Sequence, residues 1–109
     1  MIASGLKKFA MENGMKISHG VAYGSLKGYA ATLSEGSGYK QIVFSTQVPD
    51  SNALLTAVNQ VDVQRDYRVQ SLSVAPKNIQ IVFTDNPGTM KKIQAFIDWF
   101  VPVLAQHGA

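Results

Sequence analysis

The sequence predicts an α+β domain of two layers, in the order α-β-β-β-α-β-β-α, with an antiparallel sheet covered by helices. Three observations predict it. Apolar residues recur at helical spacing at both ends of the chain and once in the middle. Between those segments, apolar and polar residues alternate with a period of two. Tight Gly, Asn and Pro turns separate most of the alternating runs, and such connections are too short for parallel crossovers.

The first helix is carried by Ile2, Leu6, Phe9 and Ala10. Asn13-Gly14 supplies its left-handed stop, and Lys8 and Glu12 lie one turn apart on its outer face. From Met15 the period becomes two. Met15, Ile17, Val21 and Tyr23 alternate with Lys16, Ser18, Gly20 and Ala22, which reads as one strand with His19 at the core margin. Gly24-Ser25 and Lys27-Gly28 offer turns. Tyr29, Ala31 and Leu33 form the apolar side of the next strand, and Gly36-Ser37-Gly38 makes a hairpin loop. Ile42, Phe44, Thr46 and Val48 then face one way, opposite Gln41, Val43, Ser45 and Gln47.

Pro49-Asp50-Ser51-Asn52 opens the middle helix, with Asp50 or Ser51 as N-cap and Leu54, Leu55, Val58 and Val61 as its stripe. Tyr67 to Val74 is rich in β-formers, and its alternation slips between Val69 and Leu72, which a bulge would repair. After a turn at Pro76-Lys77-Asn78, Ile79, Ile81 and Phe83 alternate with Gln80, Val82 and Thr84. Asn86-Pro87 reads as N-cap and first-turn proline of the last helix. Its stripe is Met90, Ile93, Ile97, Phe100, Val101 and Leu104, and Pro102 should bend or end it. Phe9, Ile42, Phe44, Ile81, Phe83, Ile93, Ile97 and Phe100 are assigned to one core. Val43 and Val82 leave open a second layer of helices on the other sheet face.

A chain of 109 residues fits a single domain, 1–109, and can bury a core without staples. Ending soon after an apolar segment, it is expected to be the N-terminal part of a longer protein. With no cysteine, disulfides, zinc–cysteine sites and thiol nucleophiles are excluded. The net charge is +3 and the basic residues are scattered, unlike the focused patch of a nucleic-acid binder. No apolar run is long enough for a membrane span, and no signal-peptide order is present. A soluble, cytoplasmic domain is expected.

The element order resembles the type III secretion chaperone-like fold, also seen in YbjN-like bacterial domains. The resemblance covers the whole chain and rests on the order of elements. It implies dimers and the binding of peptide segments or partner proteins without chemistry. It carries over no functional residue. Secretion chaperones are usually acidic, whereas this chain is basic. The segment Asp85 to Leu104, DNPGTMKKIQAFIDWFVPVL, is also similar to uncharacterised bacterial proteins in which such a domain precedes further segments.

No residue pattern specifies a reaction. His19 and His107 are far apart in sequence and do not make a metal site, which needs three or four ligands. No serine sits in a nucleophile elbow, and no pair of acids can be placed for hydrolysis. Gly36-Ser37-Gly38-Tyr39-Lys40 has the glycines of a phosphate loop but runs into a strand, and it reads as a hairpin. Tyr23, Tyr29 and Tyr39, interleaved with Lys27 and Lys40, would stack bases if they formed one strip, yet no RNP-like sequence accompanies them. Nucleic acid is therefore not an expected partner. No catalytic residue, metal or cofactor is assigned.

Two surfaces remain. On the last helix, Phe96, Trp99 and Val103 widen the apolar arc beyond what docking on a sheet requires, and they are the candidate partner-binding residues. The partner would be a protein or peptide, with a second copy of the chain included. At the start of the same helix, Gly88, Thr89, Lys91 and Lys92 could bind an anion or small molecule, with Asp85 opposing it. The expected function is a non-enzymatic protein-interaction or peptide-binding module. The alternative is a small-molecule or anion-binding domain using the segment Asp85 to Lys92.

Overall fold

The computed structural model describes residues 4–109. It is an α+β fold: one antiparallel six-stranded sheet in the order β1-β2-β3-β4-β6-β5, with helices on one face. The elements are α1 (Ser4–Glu12), β1 (Lys16–Ser18), β2 (Val21–Leu26), β3 (Tyr29–Gly36), β4 (Tyr39–Ser45), α2 (Ser51–Val58), α3 (Val63–Tyr67), β5 (Val69–Val74), β6 (Asn78–Thr84) and α4 (Thr89–Gln106). Ile2, assigned to the first helix, lies outside the described residues.

The register shows which side chains share a face. One row runs Ile17, Ala22, Leu33, Ile42, Ile81, Leu72 across all six strands. It faces the helices, and its four central members are fully buried. The neighbouring row on the opposite face reads Lys16, Tyr23, Thr32, Val43, Gln80, Ser73. That face is not covered by helices, so the two-sided alternative is not realised. All eight residues assigned to the core are buried in one cluster, and Phe9 joins it from α1.

The segment expected as one strand from Met15 to Tyr23 is two strands. Ser18 and Val21 pair around a two-residue turn at His19-Gly20, where both residues have positive φ. Such a turn matches the strand twist and tolerates glycine at its second position. A two-residue turn also inverts parity, so odd positions face inward before it and even positions after it. Ala22 is therefore buried, while Tyr23 is 42% exposed. His19 is a turn residue with φ 53° and is exposed, not at the core margin. Lys27-Gly28 repeats the same device between β2 and β3.

Four other details differ from the sequence reading. Val48 is buried but lies beyond β4, held by its N–H to the Pro76 carbonyl at 2.8 Å. Tyr67 ends a short helix rather than starting a strand. Asp62 caps that helix, α3, accepting from the Arg65 N–H at 3.0 Å. The N-cap of α4 is Gly88, one residue beyond Asn86-Pro87. Pro102 sits inside α4 without ending it. It lies with Asp98 on the exposed side, where water can satisfy the carbonyl that proline leaves free. The slip in β5 is a register shift between Val69 and Ser71, as the alternation required. Asp50 caps α2, accepting from the Ala53 N–H at 3.0 Å. No helix among the described residues is long and apolar enough to cross a membrane.

Candidate functional site

Phe96, Trp99 and Val103 lie along α4, but the structure separates them. Phe96 is fully buried. It stacks on Phe100 at 4.9 Å and meets Phe83 edge-on at 5.4 Å, so it belongs to the core and presents no surface. Trp99 and Val103 are only partly buried against that core. The wide apolar arc of α4 is thus explained in part by packing, and its outer margin remains.

What meets that margin is Tyr67. Arg68 takes a left-handed conformation, φ 60°, which ends α3 and turns the chain into β5. Tyr67, just before this turn, lays its ring on Trp99 at 5.6 Å with 19° between the planes. It also touches the edge of Phe96 at 5.6 Å. Stacking of this kind adds about 0.5–1.5 kcal/mol beyond area burial. Because α3 is five residues long and buries none of them, it covers only part of Trp99. Val63 of α3 and Leu72 of the edge strand β5 are likewise half-buried beside the core. The result is a partly exposed tryptophan stacked on Tyr67 at the α3 side of α4.

The residues proposed for an anion are divided. Thr89 is buried, and its hydroxyl is fully engaged. It donates to the Thr84 carbonyl at 2.9 Å and accepts from the Asn86 N–H at 2.8 Å and Arg68 Nη1 at 3.1 Å. A hydroxyl has one donor and two acceptor positions, so none is left for a ligand. Arg68 Nη1 also donates to the Pro87 carbonyl at 2.7 Å, which latches the loop before α4 onto the end of α3. Gly88 takes φ 86° at the cap, a conformation that favours glycine. Lys91 instead faces α1 across a cleft.

Asp85 does not oppose an anion in the way its sequence position suggested. Lys40 Nζ donates to Asp85 Oδ2 at 2.7 Å and lies 3.8 Å from Glu35 Oε1. Lys40 is 4% exposed. A signal for this was present, since Lys40 shares strand parity with Ile42 and Phe44, the apolar phase of β4. The tyrosine strip does not form. Tyr23 and Tyr39 are on the open sheet face, whereas Tyr29 is on the helix side, edge-on to Phe44 at 6.4 Å and donating to the Ala109 carbonyl at 2.8 Å. Among the described residues, no group of three His, Asp or Glu side chains could hold a metal ion.

No family model matches the sequence, and no curated protein matches it. Among solved structures, a chain of the HopA1-SchA chaperone-effector complex is similar in fold. The TM-score is 0.55, over 94% of this chain and 91% of that one, at 13% sequence identity. At this identity the likeness is one of fold, and it agrees with the architecture expected from the order of elements.

Proposed function

We propose that this domain binds a protein or peptide segment without chemistry, and that the segment docks on Trp99, Tyr67 and Val103. One observation carries the reading. The tryptophan is stacked and pre-oriented by Tyr67, yet it is left partly uncovered by the short helix that holds it. A rigid aromatic anchor loses little conformational freedom on binding, and such residues dominate the energetics of many interfaces. The fold-level neighbour comes from a complex of a chaperone with an effector, which is in keeping with a binding role. A second copy of this chain is one partner the patch would fit.

Trp99 is the only tryptophan, so its fluorescence reads the site directly. Peptides selected from a displayed random library against the immobilised domain should shift this emission saturably. Val103→Ala should weaken that response at a cost of no more than about 1 kcal/mol in the thermal melt, since Val103 is only partly buried. Selected peptides that leave the emission of Trp99 unchanged would defeat this assignment. Light scattering over a concentration series tests the self-association arm, and Trp99→Ala should remove any dimer that uses this patch.

A further inference from the structure

The other flank of α4 carries a cleft with a different chemistry. It lies between α1 and the first turns of α4 and has a volume of about 190 Å³. Lys8 and Glu12 line it from α1, and Met90, Lys91 and Gln94 from α4. Phe9, itself buried in the core, also contributes to the wall. The helices meet closely at Gly5, where a Cβ would stand 2.9 Å from Met90 Cγ. The cleft therefore has an apolar interior of Phe9 and Met90 and a rim of charges from two separate helices.

The charges on that rim are not used internally. Among the described residues, Lys27, Lys40 and Arg65 each have a carboxylate within 4.0 Å, but Lys8 and Lys91 have none. Glu12 lies one turn from Lys8 and does not pair with it either, in the less favourable Lys-before-Glu order. Gln94 is occupied at both ends. Its Oε1 accepts from Asn13 at 3.0 Å and its Nε2 donates to Asp98 at 3.1 Å. Two lysines without a carboxylate partner thus line a cleft whose wall includes Phe9 and Met90. The remaining carboxylate, Glu12, disfavours a ligand bearing several negative charges.

We infer that this cleft binds a small monoanionic molecule with a short apolar body. Its anionic group, a carboxylate or a singly charged phosphate diester, lies between Lys8 and Lys91, and its hydrocarbon rests on Met90 and Phe9. The site is independent of the Trp99 patch. It keeps Lys91 as an anion contact but moves the site from the helix cap to the contact between helices.

The test is a ¹H–¹⁵N NMR titration of the 109-residue chain with sodium butyrate, methyl butyl phosphate, inorganic phosphate and butylamine. Butyrate or methyl butyl phosphate should shift the amides of Gly5, Met90 and Lys91 saturably, with a dissociation constant on the order of millimolar, as expected for so few atoms. Whichever of the two binds more tightly identifies the headgroup. Inorganic phosphate should bind about tenfold more weakly because it lacks the apolar body and is partly dianionic, and butylamine should not bind. The double variant Lys8→Gln/Lys91→Gln should lose about tenfold in affinity with an unchanged melting temperature, since both side chains are exposed. Non-saturating shifts with both anions, equal shifts with butylamine, or undiminished binding by the double variant would each overturn the inference.

Discussion

The two flanks of α4 show how the length of a neighbouring helix decides what chemistry is left at the surface. On one flank, α1 runs for nine residues and closes on α4 at Gly5 and Met90. It leaves a cleft whose rim is charged and whose interior is apolar. On the other flank, α3 has five residues and contributes a single aromatic ring against Trp99. It leaves an aromatic side chain half covered. The same helix therefore has a cleft with a charged rim on one side and a half-covered tryptophan on the other. Ile93, Ile97 and Phe100, facing the sheet between them, hold both in place.

The largest expected effect breaks the comparison from the inside. Phe96 touches Tyr67, Trp99, Phe83 and Phe100 and is fully buried. Phe96→Ala should cost about 3–5 kcal/mol in a denaturant melt, and hydrogen exchange should show the α3 flank loosening before the α1 flank. A loss below about 1 kcal/mol would mean that α4 is rotated relative to the sheet.

Lys40 gives the next largest effect. It is buried and ties the β3–β4 hairpin to the segment leading into α4. Lys40→Ala should cost about 1–3 kcal/mol, less than a fully buried pair because Glu35 and Asp85 are partly open to solvent. Butyrate binding in the cleft should survive this change if the two sites are as separate as the geometry makes them.

Trp99→Ala sharpens the contrast. It removes a stacked but partly exposed ring, so the expected cost is about 1–2 kcal/mol, well under that of Phe96→Ala. Peptide docking should be lost while the fold persists. Equal melts for the two alanine variants would place Trp99 in the core and remove it from the surface.

The smallest effect concerns Asp98, between the flanks, whose carboxylate accepts from Lys27 Nζ at 3.1 Å. This contact holds Asp98 below the ordinary aspartate value of 3.8, with a weaker contribution from Gln94 in the same direction and partial burial opposing it. The folded state therefore takes up the proton less readily than the unfolded one. The stabilisation is complete above the unfolded value and is lost as the pH falls below it through the folded value. Both side chains are about half exposed, so Asp98→Asn should cost less than about 0.5 kcal/mol at neutral pH. Melts of wild type and variant should converge on acidification.

Much of this architecture is legible in the residues. Period-two alternation identified β3, β4 and β6 and put Ile42, Phe44, Ile81 and Phe83 inside. The slip in β5 marked its bulge. The alternation from Met15 to Tyr23 misled because a two-residue turn leaves the count unbroken while reversing the face. Helix α3 leaves no mark in the sequence pattern because five residues carry no apolar period, and Tyr67 as the partner of Trp99 is hidden with it. The wide apolar arc of α4 did point to Trp99 and Val103, but it could not separate Phe96, whose burial depends on Phe83 from a distant strand. The cleft was invisible for a related reason. Lys8 and Lys91 become neighbours only through the packing of α1 on α4, which no local pattern encodes.

The run of two-residue turns through β1 to β4 also bears on the order in which the sheet can assemble. Pairing within this meander joins residues close in sequence. The β4–β6 ladder begins with Ser45 and Asn78, about 30 positions apart, and closing such a loop costs roughly 3 kcal/mol of chain entropy. Local hairpins can therefore form early, while β6 waits for that closure to be offset by docking of the helices. In pulse-labelled refolding, amides along the Ala22–Leu33 ladder should gain protection before those of Ile42 and Ile81. The rate of the slower step should follow the length of the connection through α2 and α3 rather than the sequence of the meander.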